Sequence, residues 1–190
     1  MPDKLKTDVF QRKKYLQSED AYMKEKLILH DLSEELAERL PADSADCTVF
    51  SAVPIVRSCI GCFGCWIKTP GRCVIKDRAY EFPELIAAHN ELIIVSRIVF
   101  GGMSPEVKAV MDRSIGYMLP FFRIVRGEMH HVQRYEKGPE MKYIFYGEDI
   151  PQKEKEIAEK LIVANAANFD AKIFSAVFCS SPDEAAEVLM

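Results

Sequence analysis

The sequence lacks any long hydrophobic run. Its apolar stretches are short, such as Leu92 to Val95, and stay far below the length that a transmembrane helix needs. The first residues, Met1-Pro2-Asp3-Lys4, do not begin the apolar segment that a secretion signal requires. We therefore expect a cytoplasmic protein that has no membrane partner.

A strong charge imbalance is also missing. The 29 acidic and 25 basic residues give a net charge of -4 and are interspersed, so no basic face for a nucleic acid is predicted. Hydrophobic residues fill 48% of the 190 positions, an ordinary share for one globular domain with its own core. A core of this size needs no disulfides, and the six cysteines are better explained as thiols or metal ligands in a reducing compartment.

Short apolar segments alternate with helical patterns along the chain. The segment Glu91–Ser96 is continuously apolar and rich in β-branched residues, which is typical of a strand covered on both faces. Strands that alternate with helices predict parallel pairing through right-handed crossovers. The predicted strands are Lys26–His30, Cys47–Phe50, Glu91–Ser96, Met141–Tyr146 and Lys172–Cys179.

Five helices are predicted between and after these strands. They are Ser33–Leu40, a helix containing Phe82 and Leu85, a helix that Ser104 caps at Pro105, Lys153–Asn168, and a helix from Pro182. Residues 1–25 are crowded with charge and are predicted to be an arm outside a domain that spans 26–190. In such sheets ligands bind at the carboxyl ends of the strands, so the loops after His30, Ser96 and Tyr146 are the expected site.

Four of the cysteines are concentrated in a segment, 59–73, that follows the second predicted strand. Their pattern is Cys59-x2-Cys62-x2-Cys65-x7-Cys73. Two-residue spacing lets successive thiolates converge, and a [4Fe-4S] cluster takes four thiolates. The alternatives are buried cysteines that stabilise a compact turn, a zinc site, whose ligand pairs usually stand further apart, or a redox disulfide.

From Cys59 to Arg113 the chain resembles the NAD(P)H-dependent FMN reductase and iron-sulfur flavoprotein branch of the flavodoxin superfamily. The resemblance rests on residues 59–77, CIGCFGCWIKTPGRCVIKD, on the strand ending at Ser96, and on Gly101-Gly102-Met103-Ser104. It implies a flavodoxin-like α/β three-layer sandwich, with a five-stranded parallel sheet in the order 2-1-3-4-5 and helices on both faces. It also implies bound FMN, NAD(P)H as reductant, and a small acceptor or an electron carrier.

The resemblance also implies which residues contact FMN. They are Ser33 in the first loop, Ser96, Arg97, Ile98, Val99, Phe100, Gly101 and Gly102 after the central strand, and Gly147 after the fourth strand. The first loop carries Asp31, Glu34 and Glu35 where a phosphate would lie, so we expect FMN binding to be weak or absent. Arg97 either contacts the cofactor or forms a surface ion pair.

Two functions follow. The first is an FMN-dependent NAD(P)H oxidoreductase, in which the cofactor does the chemistry and no catalytic side chain is predicted. The second is a flavodoxin-like protein that has lost FMN and acts as a metal-, iron-sulfur- or thiol-bearing binding protein. The apolar segment Tyr117–Phe122 predicts a homodimer interface if it does not pack on its own domain. His130-His131 suggests a metal or acid-base site, or an interface.

Overall fold

The computed structural model describes residues 24–41 and 46–190. Its strands are β1 (Lys24–His30), β2 (Cys47–Ser51), β3 (His89–Arg97), β4 (Met118–Val125), β5 (Glu128–Gln133), β6 (Glu140–Tyr146) and β7 (Phe174–Cys179). Its helices are α1 (Glu34–Ala37), α2 (Gly64–Ile67), α3 (Phe82–Ala87), α4 (Pro105–Asp112), α5 (Gln152–Phe169) and α6 (Pro182–Glu187). A 3-10 helix, Arg113–Tyr117, follows α4.

The main sheet has five parallel strands in the order β2-β1-β3-β6-β7. Numbered within the sheet, this is the predicted order 2-1-3-4-5, which confirms the fold class. The central strand β3 pairs with β1 on one side and β6 on the other, and Leu92 to Ser96 are buried. Residues Leu92 to Val95 of this strand are continuously apolar because both faces of the strand are covered.

The two faces of the sheet are covered by different helices. Side chains of α3, α4 and α5 pack on the face that includes Leu27, Leu29 and Ile94. Side chains of α1 and α6 pack on the opposite face, which includes Ile28 and Val95. Neighbouring residues of a strand point to opposite faces, so this alternation follows from the pleat.

Several element boundaries differ from the predicted ones. Strand β1 begins at Lys24, inside the predicted arm, whose remaining residues 1–23 lie outside the described part of the chain. Helix α1 ends at Ala37 instead of Leu40, because its last turn closes with hydrogen bonds from Arg39 and Leu40 to carbonyls three residues earlier. Helix α5 begins at Gln152, one residue before the predicted start, and has no side-chain cap.

A β-hairpin between the 3-10 helix and β6 was not predicted. Strands β4 and β5 pair antiparallel across a two-residue turn, Arg126-Gly127, whose φ angles of 52° and 86° both lie in the left-handed region. Within the segment Tyr117–Phe122, Tyr117 ends the 3-10 helix and the remaining residues begin β4. Tyr117 is buried, whereas Phe121 and Phe122 are 53% and 63% exposed.

No helix within residues 24–41 and 46–190 combines the length and apolar character that crossing a bilayer requires.

Candidate functional site

The four clustered cysteines line one cavity of about 360 Å³. Cys65 and Cys73 are buried, whereas Cys59 and Cys62 are exposed at its open side. All four sulfurs are free thiols. The cysteine segment, residues 59–73, therefore folds so that the four thiols border a common space.

Tight backbone packing keeps the segment around this cavity. Helix α2 begins at Gly64, and a Cβ at that position would clash with the side chain of Val74. Glycine therefore lets the start of α2 pack directly against Val74. Phe63, just before the helix, adopts a left-handed conformation with φ of 54°, which is uncommon for a bulky residue.

Arg113 holds the two ends of the cysteine segment together. Its Nη1 donates to both carboxylate oxygens of Asp77 at 2.6 Å and to the carbonyl of Arg57 at 3.2 Å. Its Nη2 donates to the carbonyl of Ile75 at 2.7 Å. Burial alone would raise the pKa of Asp77, but the hydrogen bond from Arg113 outweighs it and the pKa lies below its ordinary value. This ion pair, in which Arg113 is buried and Asp77 is partly exposed, fixes both chain ends that lead into the cavity.

Trp66 joins the cysteine segment to the hairpin. Its Nε1 donates to the carbonyl of Met118 at 2.9 Å. Its ring stacks on Phe63 at 5.3 Å between centroids and contacts His131 at 4.9 Å. The buried indole therefore fixes the cysteine segment against the hairpin, and Phe63, on which it stacks, lines the cavity.

The donor set fits an iron-sulfur cluster better than a single ion. In a zinc site all four sulfurs lie about 2.3 Å from one atom. The described residues contain no group of three or more His, Cys, Asp or Glu side chains arranged to hold one ion. In a [4Fe-4S] cluster each cysteine binds a different iron, so the thiolates surround a volume rather than meet at a point. Four thiols around a cavity suit that arrangement.

Burial raises the pKa of Cys65 to about 11, and the neighbouring thiol Cys73 adds to the shift, followed more weakly by Cys59 and Cys62. The thiols are therefore close enough for their charges to repel one another. A thiol with a pKa this high is protonated at neutral pH. A cationic metal cluster would offset the repulsion, and binding it would release protons.

The second group of predicted site residues lies where β1, β3 and β6 end. Asp31, directly after β1, accepts the backbone N–H of Arg97 at 3.0 and 3.2 Å and the hydroxyl of Tyr146 at 3.0 Å. Ser96 and Ser104 complete this cluster: the Ser96 hydroxyl donates to the Arg97 carbonyl at 3.0 Å, lies 3.5 Å from Asp31 Oδ2, and accepts the Ser104 N–H at 2.9 Å. Burial raises the pKa of Asp31, and hydrogen bonds from Ser104, Arg97 and Tyr146 oppose that shift.

The loop after β3 folds back on itself. Val99 and Gly102 exchange two backbone hydrogen bonds of 2.9 and 2.8 Å around Phe100 and Gly101, which both have positive φ. A Cβ on Gly101 would lie 2.6 Å from Ile157, so this turn packs directly on α5. Phe100 is 87% exposed, and its side chain points into solvent at the carboxyl edge of the sheet.

Most backbone N–H donors of the predicted FMN-contact residues are already hydrogen-bonded within the protein, whereas the Phe100 side chain is exposed. The N–H groups of Arg97, Ile98, Val99, Gly101 and Gly102 donate to protein oxygens: Asp31, the Tyr146 carbonyl, the Gly102 carbonyl, Glu154 and the Val99 carbonyl respectively. Ser33 caps α1 by accepting the Leu36 N–H at 3.4 Å, and the Gly147 N–H donates to the Cys179 carbonyl at 3.2 Å. Ser96 is fully buried.

An FMN phosphate does not fit this edge. Helix α1 has only four residues and its first turn carries Glu34 and Glu35. The carboxylate of Asp31 already takes donors from the loop after β3 and from β6. A phosphate dianion would meet three carboxylates instead of free amides.

The paired histidines lie in β5, and neither of them lines the cysteine cavity. His130 is buried and its Nδ1 is 3.0 Å from Asn168 Oδ1. His131 packs its ring between Trp66 and Phe122. Their assignment to an acid-base or metal site stays a prediction.

Sequence reasoning missed the parts that Asp31, Arg113 and Trp66 play. A signal existed for Arg113, because a charged residue interrupts the apolar pattern of α4 and its 3-10 extension. No local signal identifies Asp31, since its partners lie 66 and 115 positions away.

In sequence, the chain is 37% identical over 68 residues to an iron-sulfur flavoprotein of Methanocaldococcus jannaschii. The match covers 34% of this chain and 34% of that protein, so the chain spans about a third of the length of this curated relative. No protein-family model matches the sequence.

In structure, the chain is similar to an FMN-dependent NADH-azoreductase from Bacillus anthracis str. Ames Ancestor in complex with FMN. The TM-score is 0.55 at 13% identity, over 87% of this chain and 93% of that chain. The Trp repressor binding protein of Bacillus subtilis (13% identity; 86% and 92% covered) has a TM-score of 0.49. General stress protein 14 of Treponema denticola, in complex with FMN (14% identity; 87% and 91% covered), has a TM-score of 0.48. These two values are too low to support an argument. The azoreductase and the observed strand order show that the chain has the flavodoxin-like fold.

Proposed function

We propose that the chain is a redox protein whose cysteine cavity holds a [4Fe-4S] cluster. The observation that carries this proposal is that Cys59, Cys62, Cys65 and Cys73 line one cavity. The partial match to an iron-sulfur flavoprotein supports the same assignment. We also propose a cytoplasmic location, because free thiolate ligands persist in a reducing compartment.

When bound, a cluster of this kind supplies one-electron transfer. The chain's own residues would provide the surroundings. Arg113 and Asp77 fix the ends of the cysteine segment, and Trp66 fixes it against the hairpin. Cys59 and Cys62 are exposed, so an electron carrier could approach the cluster from their side.

The proposal is tested by anaerobic reconstitution with iron and sulfide. The wild type should acquire broad visible absorption, and dithionite should produce an EPR signal. Cys73→Ser should lose most of both signals, because one ligand of four is missing. Cys179→Ala is the matched control, since Cys179 is buried in β7 outside the cysteine segment. Equal spectra for wild type and Cys73→Ser would contradict the assignment.

An FMN-dependent NAD(P)H oxidoreductase is the second candidate. The exposed Phe100 favours it: a bulky residue in a left-handed turn is strained, and such strain is concentrated at ligand sites. An aromatic ring at this edge offers a stacking surface for a flavin ring. A nicotinamide would then be the reductant, and a small acceptor or an electron carrier would be the oxidant.

The phosphate of FMN does not fit, so this candidate predicts weak binding through the ring alone. We expect a dissociation constant in the micromolar range or poorer, about -8 kcal/mol or less favourable. Fluorescence titration of FMN against wild type and Phe100→Ala measures it. Nanomolar binding would show that the first loop does hold the phosphate, and no binding at millimolar flavin would remove this candidate.

A further inference from the structure

Arg113 lies in the wall of the cysteine cavity with one donor unused. Its side chain is fully buried, it lines the cavity together with the four cysteines, and its Nε has no hydrogen-bond partner among the described residues. We propose that the Arg113 guanidinium raises the reduction potential of the cluster by stabilising its more negative, reduced state. This inference rests on the proposed function.

The guanidinium is held in a fixed position. Its Nη1 donates to Asp77 and to the Arg57 carbonyl, and its Nη2 donates to the Ile75 carbonyl. The side chain cannot rotate to find a partner for Nε without breaking these bonds. Because nearly all buried donors in proteins are satisfied, an unpartnered N–H beside a cavity points to a missing acceptor.

Cys73 and Arg113 line the same cavity. The Arg113 charge is also near enough to the Cys73 sulfur for the two to interact electrostatically. Hydrogen bonds and charges near the sulfurs are among the properties that set cluster potentials.

The sign of the effect follows from charge. Reduction adds one electron to the cluster, and a cation buried beside a ligand sulfur stabilises the added charge. Removing the cation should lower the potential. Asp77 partly neutralises the same cation, so removing the Asp77 charge should raise the potential. Variants of Arg113 and of Asp77 are thus expected to shift the reduction potential in opposite directions.

The test compares cluster-reconstituted wild type, Arg113→Met, Arg113→Lys and Asp77→Asn in redox titrations followed by EPR. At the wild-type midpoint, Arg113→Met should show a reduced-to-oxidised ratio about tenfold lower, a shift of about 59 mV for one electron. Asp77→Asn should shift upward, and Arg113→Lys, which keeps the charge, should lie between wild type and Arg113→Met. Arg123→Met is the control, because Arg123 pairs with Asp170 away from the cavity.

Iron content is measured on every variant. If Arg113 serves only as a structural tie, the variants lose iron while the midpoint of the remaining cluster stays unchanged, and that result overturns the inference. If Arg113→Met does not fold, Asp77→Asn and Arg113→Lys still decide the sign. A wild type that takes up no iron or sulfide contradicts the proposed function itself, which is a different result from an unchanged midpoint.

Discussion

The carboxylate of Asp31 accepts the backbone N–H of Arg97 through both of its oxygens, at 3.2 and 3.0 Å. This contact joins the loop after β1 to the loop after β3, at the point in the sheet where the strand order reverses. Ligands of doubly wound sheets bind at that point. Here a side chain of the protein takes the donors that an anionic ligand would use.

This contact predicts how the chain distinguishes flavins. The wild type should bind riboflavin and FMN with similar, weak affinities, because the phosphate finds no donors. Asp31→Ser removes the carboxylate and frees the Arg97 N–H, so FMN should bind about tenfold more tightly than riboflavin, a difference of about 1.4 kcal/mol. Fluorescence titrations of both flavins measure the ratio.

Asp31→Asn is the matched control for this prediction. Asparagine removes the charge but keeps the size, so it still fills the position and should favour FMN much less than Asp31→Ser does. A wild type that already prefers FMN strongly over riboflavin would show that the phosphate has another binding position.

The hairpin carries an exposed apolar surface. Phe121, Phe122, Ile124 and Met129 are each more than half exposed, and such a group of side chains favours contact with another subunit. We predict a homodimer at micromolar concentration and expect Phe121→Glu with Phe122→Glu to yield folded monomers, as measured by light scattering and circular dichroism.

Ile173→Glu is the control for the dimer. Ile173 is 60% exposed and lies just before β7, so a charge there should not change the oligomeric state if the hairpin forms the interface. A monomeric wild type would exclude the hairpin as a dimer contact.

His30 predicts a pH dependence of stability. It is fully buried at the end of β1, its Nδ1 has no partner among the described residues, and burial lowers its pKa from 6.5 to about 4. Its neighbours across the sheet, Ser51 and Val95, carry no charge. Below about pH 6.5 the unfolded chain binds a proton that the folded chain refuses, so stability falls as the pH drops towards 4.

Between pH 7.5 and pH 5 this histidine should reduce the free energy of unfolding by about 2 kcal/mol. Asp31 acts in the opposite direction, because its raised pKa favours protonation of the folded state. Urea unfolding of wild type and His30→Leu at the two pH values separates the contributions. An identical pH dependence in both proteins would contradict the assignment to His30.

The fold was largely predictable because the main sheet repeats one local rule. Each strand of that sheet is an apolar segment followed by a helix, and the buried run Leu92 to Ser96 identified the central strand. The hairpin was missed because Pro120 interrupts β4, and because β5 carries His130, His131 and Gln133 instead of alternating apolar residues. The Arg126-Gly127 turn also lacks the Asn-Gly or Asp-Gly signature.

The site was only partly predictable. The spacing of the cysteines identified the segment, but only the structure shows that four thiols line one cavity. The sequence identifies Asp31 as a carboxylate of the first loop, but only the structure shows that it accepts the backbone N–H of Arg97. Local sequence patterns predict contacts only within a few residues. The Asp31 carboxylate accepts hydrogen bonds from Arg97 and Tyr146, which lie on strands distant in sequence.

The most direct test of the central proposal is the iron and sulfide content of the chain after anaerobic reconstitution, measured together with the number of titratable thiols. We expect about four iron atoms and about four sulfides per chain, the composition of one [4Fe-4S] cluster, with Cys59, Cys62, Cys65 and Cys73 protected from thiol reagents under native conditions. Iron and sulfide near zero, with the exposed Cys59 and Cys62 still reactive towards thiol reagents under native conditions, would contradict the proposal and leave the cysteines without a cluster in a flavodoxin-like domain.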